Sequence, residues 1–516
     1  MSVDSLIEQL NPRRWRLSFQ ILACLFGTYF ISTWLASLVS PYKEYPPPPE
    51  PIDFTPVTFN DHEELDLLCQ SSHFSQHSLP DSHDSYHSIR RVVLNASIGG
   101  LPGDGPMPVN FLQDEFVDPS YEEIISCRAH DVIIPKPIEG ANKLAGNDLM
   151  FAYATTTERY NESFDLLSSY LAYLGSPALF HLPAKTDNDS LLVNSTQMEA
   201  WFQRDDIYGI IKYANQSLNY TERWFHSIEM MYNTSVARNM STKWYILLDD
   251  DTFIVSPYKF LKMLDKYDHN QLHYIGCLSE SRGQRDLWGF MPFGGAGLIM
   301  SQGLVKKMMD HWEECKFVAS KFETGDLKAA ACVRYIKKGY QGIYFSIEPG
   351  LHQLDLRGDI SGFLQGGLSY ITFHHLSGWS RLIPDRDNKK SLKLLLDSTR
   401  AIGEAAMWRR YRFKETWLLT NGYSLTEYIN ASSIPSDNSL QMLEKTFEND
   451  ADDFITSYGR MRRNLVEGKD KRSYWISGIY ERELAQNGKR HVTMVYENLD
   501  LETGKIRRID VEWLAP

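Results

Sequence analysis

Cysteine is scarce, and its spacing builds no metal cage. The 516 residues hold six, Cys24, Cys69, Cys127, Cys277, Cys315 and Cys332, and none falls in the paired short-range pattern of a zinc site. Long basic runs are missing too. With a net charge of -13, that speaks against nucleic acid as a partner. No internal repeat is visible, which sets aside solenoids and propellers. Long apolar runs are absent with one exception, 17–42, which carries no charge and is rich in Leu, Ile, Phe, Ala and Trp. It exceeds the ~20 residues that cross a bilayer, and it is too long for the apolar core of a cleaved signal peptide. Arg13, Arg14 and Arg16 precede it, so the N-terminus is expected to be cytoplasmic and everything after about residue 43 to be lumenal or external.

A lumenal body makes two further expectations. Sequons should be usable, and Asn95, Asn161, Asn188, Asn194, Asn215, Asn219, Asn233, Asn239 and Asn430 each stand two before Ser or Thr. Cysteines should be able to pair, and the preferred pairs are Cys315 with Cys332 and Cys69 with Cys127.

What the chain does have is concentrated in Lys243–Val255, KWYILLDDDTFIV. Trp244–Leu248 is a short apolar run suited to a strand buried on both faces, and it ends in Asp249, Asp250 and Asp251. Side chains alternate along a strand, so Asp249 and Asp251 should share one side and Asp250 the other. Carboxylates this close repel one another, and a hard cation such as Mg²⁺ or Mn²⁺, shared with substrate phosphates, relieves the repulsion. An acidic triplet also suits a solvated turn or a helix start, and Ser256-Pro257 has the look of an N-cap and first helical residue.

Strands and helices alternate around this stretch. Leu149–Thr155 reads as a strand with Thr155, Thr156 and Thr157 at its carboxyl end. A helix over 163–174, a strand over 178–182, helices over 205–213 and 223–232, and strands over 273–276, 341–347 and 369–373 follow. The pattern predicts an α/β layer with a mainly parallel sheet. Phe293–Ser301 places Gly294, Gly295 and Gly297 where backbone could approach a ligand closely. Thr324-Gly325-Asp326 opens another helix; Asp326 could cap it or stand at a cleft edge as a base. His374 and His375 end the 369–373 strand, in reach of a site built from the same sheet.

Five motifs in this order resemble the Fringe-like glycosyltransferases, family 31 in the usual classification, and within it the fungal-type members of unassigned acceptor. They are WYILLDDDTFIV, YIGCLSE at 274–280, FGGAGLIMS at 293–301, TGDLKAAAC at 324–332 and FHH at 373–375. GEAAMWRRYRF and LLTNGYSLTEY further on look like the region that follows in fungal members. The resemblance implies a GT-A nucleotide-sugar-binding fold in a type II Golgi membrane protein. It also implies inverting transfer from a UDP-sugar to a glycan or glycoprotein acceptor, with Mn²⁺ or Mg²⁺ as cofactor and typically a β1,3 linkage.

Carried onto this sequence, Asp251 and His374, with His375 as the alternative, would ligate the metal, and Asp249 and Asp250 would hold the nucleotide. Asp326 would be the general base, with its helix N-terminus keeping it anionic and weakening it as a base. Gly294, Gly295 and Gly297 would shape the loop between donor and acceptor, and Thr155, Thr156 and Thr157 would line the uridine end. The organisation that follows is a cytoplasmic tail over 1–16, a signal anchor over 17–42, a stem and variable lead-in over 43–145, a catalytic domain over 146–430 and a β-containing extension over 431–516. A homodimer stays open. The competing class is a catalytically silent lumenal glycan-binding or assembly protein on the same fold.

Overall fold

The computed structural model describes residues 146–514 except for short internal stretches, the longest being 185–189, 339–343, 450–460 and 484–489. It also describes the backbone of three strands before residue 136. The apolar run 17–42 and the pair Cys69 and Cys127 lie outside the described residues. Among the described residues no helix is long and apolar enough to cross a membrane.

A seven-stranded sheet positions the site. Its order is Ser346–Ile347, Tyr274–Gly276, Leu298–Ser301, Trp244–Leu247, Leu149–Ala154, Ala178–Leu182, Gly209–Tyr213. Leu298–Ser301 runs antiparallel to both neighbours and every other pairing is parallel, so the sheet is parallel-rich and mixed. Leu149–Ala154 is buried at every position, and its alternate residues feed two cores. Leu149, Phe151 and Tyr153 pack with Tyr160, Leu167 and Tyr170 of the helix Thr157–Leu174. Met150, Ala152 and Ala154 pack with Trp224, Ile228 and Met231 of the helix Tyr220–Ala237. A strand buried on both faces must be apolar throughout, which is why this stretch reads LMFAYA.

From Leu149–Ala154 the chain winds outward through Ala178–Leu182 and Gly209–Tyr213, then jumps back to Trp244–Leu247 on the other side. The strand order reverses there, and a ligand crevice opens at the carboxyl ends of the two strands at such a point. Thr155 and the Asp triplet occupy those ends.

Residues 205–213, expected as helix, divide differently: the helix Ser190–Arg204 stops and Gly209–Tyr213 is an edge strand. A Cβ on Gly209 would lie 2.3 Å from the Phe202 ring, so the tight return of strand against helix dictates the glycine.

A small sheet brings the distant histidines to the triplet. Thr372–Phe373 lies between Leu351–His352, to which it is parallel, and Phe253–Ile254, to which it is antiparallel, with Phe373 opposite Phe253. A second large sheet of nine strands takes in Arg410–Phe413, Trp417–Thr420, Ser424–Tyr428, Lys471–Glu483, Arg490–Leu499 and Ile506–Leu514. Its remaining members are Tyr86–Gly99, Met107–Val109 and Ala129–Pro135, from the segment expected to be stem. The expected break at residue 430 falls between Ser424–Tyr428 and Lys471–Glu483, which are hydrogen-bonded neighbours. The helix Asn388–Ile402 packs on both Lys471–Glu483 and Thr157–Leu174, and one hydrophobic core runs through all three.

Candidate active site

Trp244–Leu247 ends one residue short of the triplet, and the chain turns at once, with Thr252 N–H donating to Asp249 C=O at 3.1 Å. The three acids separate as alternation predicts. Asp249 and Asp251 face His374, whose Nε2 lies 3.3 Å from Asp249 Oδ2 and 3.1 Å from Asp251 Oδ1. Ligand atoms of the three lie within 4.8 Å of one another. His374 is only 3 % exposed, and its backbone N–H donates to His352 C=O at 3.0 Å, which fixes the ring's approach.

His375 turns away from the carboxylate pair. Its Nδ1 lies 3.1 Å from Asp355 Oδ1, so of the two histidines only His374 reaches Asp249 and Asp251.

Asp250 points the other way and is 1 % exposed. Thr155 Oγ1 donates to it, and Arg159 reaches it with Nε at 2.8 Å from Oδ2 and with Nη2 on Oδ1. This departs from the expectation that Asp250 and Thr155 face the nucleotide. Both are buried, Thr155 donating to Asp250 and Asp250 held by Thr155 and Arg159, because a residue between two carboxylates that face the site points to the opposite side of the chain. Thr156 is the N-cap of Thr157–Leu174, accepting from Arg159 N–H at 3.3 Å, and the buried Thr157 is that helix's first residue.

The glycines explain how the loop fits. A Cβ on Gly295 would come within 2.2 Å of the His374 ring, and one on Gly294 within 2.7 Å of Trp224. Gly297 has φ +121, a conformation that L side chains avoid. Thr252 Oγ1 donates to Gly295 C=O at 2.6 Å, Thr372 Oγ1 to Ala296 C=O at 2.5 Å, and Ala296 N–H to Gln353 Oε1 at 2.9 Å, so the loop is clamped against His374 from both sides.

Asp326 stands on the other flank of that loop. Gly294 N–H donates to its Oδ2 at 3.4 Å, while Thr324 Oγ1 at 2.6 Å and Leu327 N–H at 2.9 Å donate to Oδ1. Consecutive glycines therefore touch the base candidate and the imidazole.

Sequence reasoning missed Tyr220 and Trp224. Tyr220 Oη, at 2.8 Å, and Trp224 Nε1, at 3.0 Å, both donate to Asp249 Oδ1. Trp224 also lies under Gly294 and Gly325, so one indole ties Asp249 to the Asp326 helix. Their four-residue spacing on a helix was the available signal, but it reads equally as a core stripe.

The charges are strongly coupled. Burial alone would lower the His374 pKa, yet the Asp251 charge and hydrogen bonds to both carboxylates raise it to about 10. Burial opposes ionisation of Asp251 and Asp249, but the imidazolium outweighs it and both fall below the ordinary carboxylate range. Asp326 goes the other way: burial, helped by the Asp249 charge, raises it against its three hydrogen bonds. The helix N-terminus was expected to weaken this base; desolvation wins, and Asp326 is the stronger base for it.

The site lies within a recognisable region. Residues 211–360 match the Fringe-like family model. The chain is a glycosyltransferase. Residues 288–487 match a second family model, described as a protein of unknown function, DUF604. The Fringe-like region holds Trp224, the Asp triplet, the glycine loop and Asp326. The second match runs from that loop through His374 into the nine-stranded sheet.

Three solved glycosyltransferase structures superpose loosely. One is involved in glycosylation of the major capsid of PBCV-1, with 11 % identity over 44 % of this chain and 91 % of its own and a TM-score of 0.28. The mannosyltransferase PcManGT from Pyrobaculum calidifontis, solved with GDP-Man and Mn²⁺, has 9 % identity over 52 % and 66 % and a TM-score of 0.28. Mouse xyloside xylosyltransferase 1 has 10 % identity over 44 % and 96 % and a TM-score of 0.26. Likeness this distant carries no residue-level argument. No curated protein matches significantly.

Cys315 and Cys332, flanking the Asp326 helix start, are joined in a disulfide. Cys277 is buried and free.

Proposed function

We propose that this glycosyltransferase is a metal-dependent, inverting enzyme on a GT-A fold, moving a sugar from a UDP-sugar to a glycan or glycoprotein acceptor with formation of a β1,3 linkage. The observation that carries the reading is the convergence of Asp249, Asp251 and His374 with Asp326 across the Gly294-Gly295 loop. Two carboxylates and one imidazole form a donor set that suits Mn²⁺. Asp251 Oδ1 is buried with His374 Nε2 at 3.1 Å as its one close polar neighbour among the described residues, so it keeps a lone pair to give.

Asp249, Asp251 and His374 would hold the ion, which when bound supplies positive charge to the departing diphosphate. Asp249 is oriented for this by Tyr220 and Trp224. Asp326 accepts the proton of the acceptor hydroxyl. The acceptor oxygen then forms its bond to the sugar's anomeric carbon as the bond to the diphosphate breaks, with the electron pair leaving on the diphosphate.

A Golgi location behind a single anchor at 17–42 belongs to the same proposal. It is supported by the uncharged apolar run, the sequons and a disulfide that suits an oxidising compartment. The test is UDP release by the purified protein with Mn²⁺ across a panel of UDP-sugars. Asp251→Ala is expected to abolish metal-dependent turnover, and Asp326→Asn to lose transfer while still binding UDP and Mn²⁺. Unchanged turnover in Asp251→Ala would overturn the reading.

A further inference from the structure

Beyond His374 the aromatic rings do not stop. The His375 ring lies 3.7 Å from that of His374, centroid to centroid, and the Trp379 indole stacks on His375 at 4.4 Å and 22°. This file of rings leads from the carboxylate pair to the surface, where Trp379 is 44 % exposed. It is held rigidly. His375 takes a left-handed backbone with φ +54, which for a residue carrying a Cβ is costly and persists only where its surroundings insist on it. Gly378 N–H closes the turn onto His375 C=O at 3.2 Å. Asp355, itself buried, anchors the His375 ring and accepts from Ser279 Oγ at 2.5 Å.

Over the indole lies Arg357, exposed, with its guanidinium carbon 5.6 Å from the ring centroid. It makes no ion pair with a carboxylate among the described residues. A half-exposed indole, stacked on His375 and with a guanidinium that has no carboxylate partner among the described residues set over its ring, has the chemistry of a carbohydrate platform. A pyranose ring offers an apolar face of C–H bonds to the indole and a rim of hydroxyls, or a carboxylate, to the arginine.

We propose that Trp379 and Arg357 form a second sugar subsite, which takes a pyranose unit of the acceptor glycan removed from the reacting hydroxyl. The assignment to an outer unit follows from position. Asp326 borders the Gly294 side of the loop, whereas Trp379 lies two ring steps beyond His374. This inference rests on the transferase reading for the word acceptor; binding at the platform does not depend on turnover.

Saturation-transfer NMR on the full-length purified chain, with N-acetyllactosamine, cellobiose, mannobiose and a uronate-bearing chondroitin disaccharide as probes, tests it. Ring protons of at least one disaccharide should receive saturation from the wild type. Its affinity should fall on the order of tenfold in Trp379→Ala and be largely kept in Trp379→Phe, as for a lost and a retained stacking face. UDP–Mn²⁺ binding, read by calorimetry in Trp379→Ala, should change by less than about twofold, as expected of a separate site. Absence of disaccharide binding in the wild type overturns the proposal, as does undiminished binding in Trp379→Ala. Loss of UDP–Mn²⁺ affinity in that variant with disaccharide binding intact also overturns it, since the indole would then serve the nucleotide. A wild type that binds disaccharide through Trp379 yet releases no UDP keeps the platform and sinks the transferase reading instead.

Discussion

His374 is held between Asp249 and Asp251 with a pKa raised to about 10. With no divalent ion bound, it is therefore protonated throughout the physiological range, and an ion that takes its Nε2 must expel that proton. The sign follows: lower pH favours the imidazolium and weakens metal binding. Between pH 6 and pH 8, Mn²⁺ affinity is expected to rise about tenfold per pH unit, with one proton released per ion on calorimetry in buffers of different ionisation enthalpy. An affinity independent of pH would remove the imidazole from the ligand set. Gly295 gives a second test at the same scale. Its added methyl in Gly295→Ala would meet the His374 ring at 2.2 Å, and the clamped loop has little room to yield. The variant is expected to fold, by circular dichroism, and to lose about tenfold or more in Mn²⁺ affinity. Full retention would show that the loop does not set the ring's position.

At the scale of elements, the helix Tyr220–Ala237 does more than cover the sheet. Tyr220 and Trp224, one turn apart, both serve Asp249 Oδ1. Trp224→Phe keeps the ring under Gly294 and Gly325 while removing the N–H donor. A hydrogen bond to a charged group contributes ~1.5–3 kcal/mol, discounted here because Tyr220 remains, so Mn²⁺–UDP affinity should drop by about tenfold with little change in melting temperature. An unchanged affinity would make Trp224 packing alone. These partners were not legible in the sequence, because an amphipathic helix hides a polar N–H among core aromatics. The Asp triplet, the glycine loop and the Asp326 helix start were legible because each is a local pattern. Choosing between His374 and His375 was not, since the pairing of Thr372–Phe373 with Phe253–Ile254 decides it, and that register is set far away in the chain. Strand Gly209–Tyr213 was read as helix for a related reason: its edge position comes from pairing with Ala178–Leu182, not from its own spacing.

Across the whole molecule, the parallel-rich sheet places its strand-order reversal where Leu149–Ala154 and Trp244–Leu247 end, and the acids stand at that point. Alternating apolar runs announced this α/β layer. The nine-stranded sheet was announced only in part. Ile506–Leu514 and Arg490–Leu499 alternate visibly, but the paired strand Tyr86–Gly99 comes from the opposite end of the sequence, behind a His- and Ser-rich stretch that read as stem. Contacts of such separation leave no local trace. The proposed centre is assembled from residues more than a hundred positions apart, Asp249 and Asp251 with His374. Pulsed electron paramagnetic resonance of the protein with Mn²⁺ and UDP tests that centre most directly. The account predicts ¹⁴N modulation from one coordinated imidazole in the wild type, kept in His375→Ala and abolished in His374→Ala. Absence of nitrogen coupling in the wild type, or its survival in His374→Ala, would contradict it.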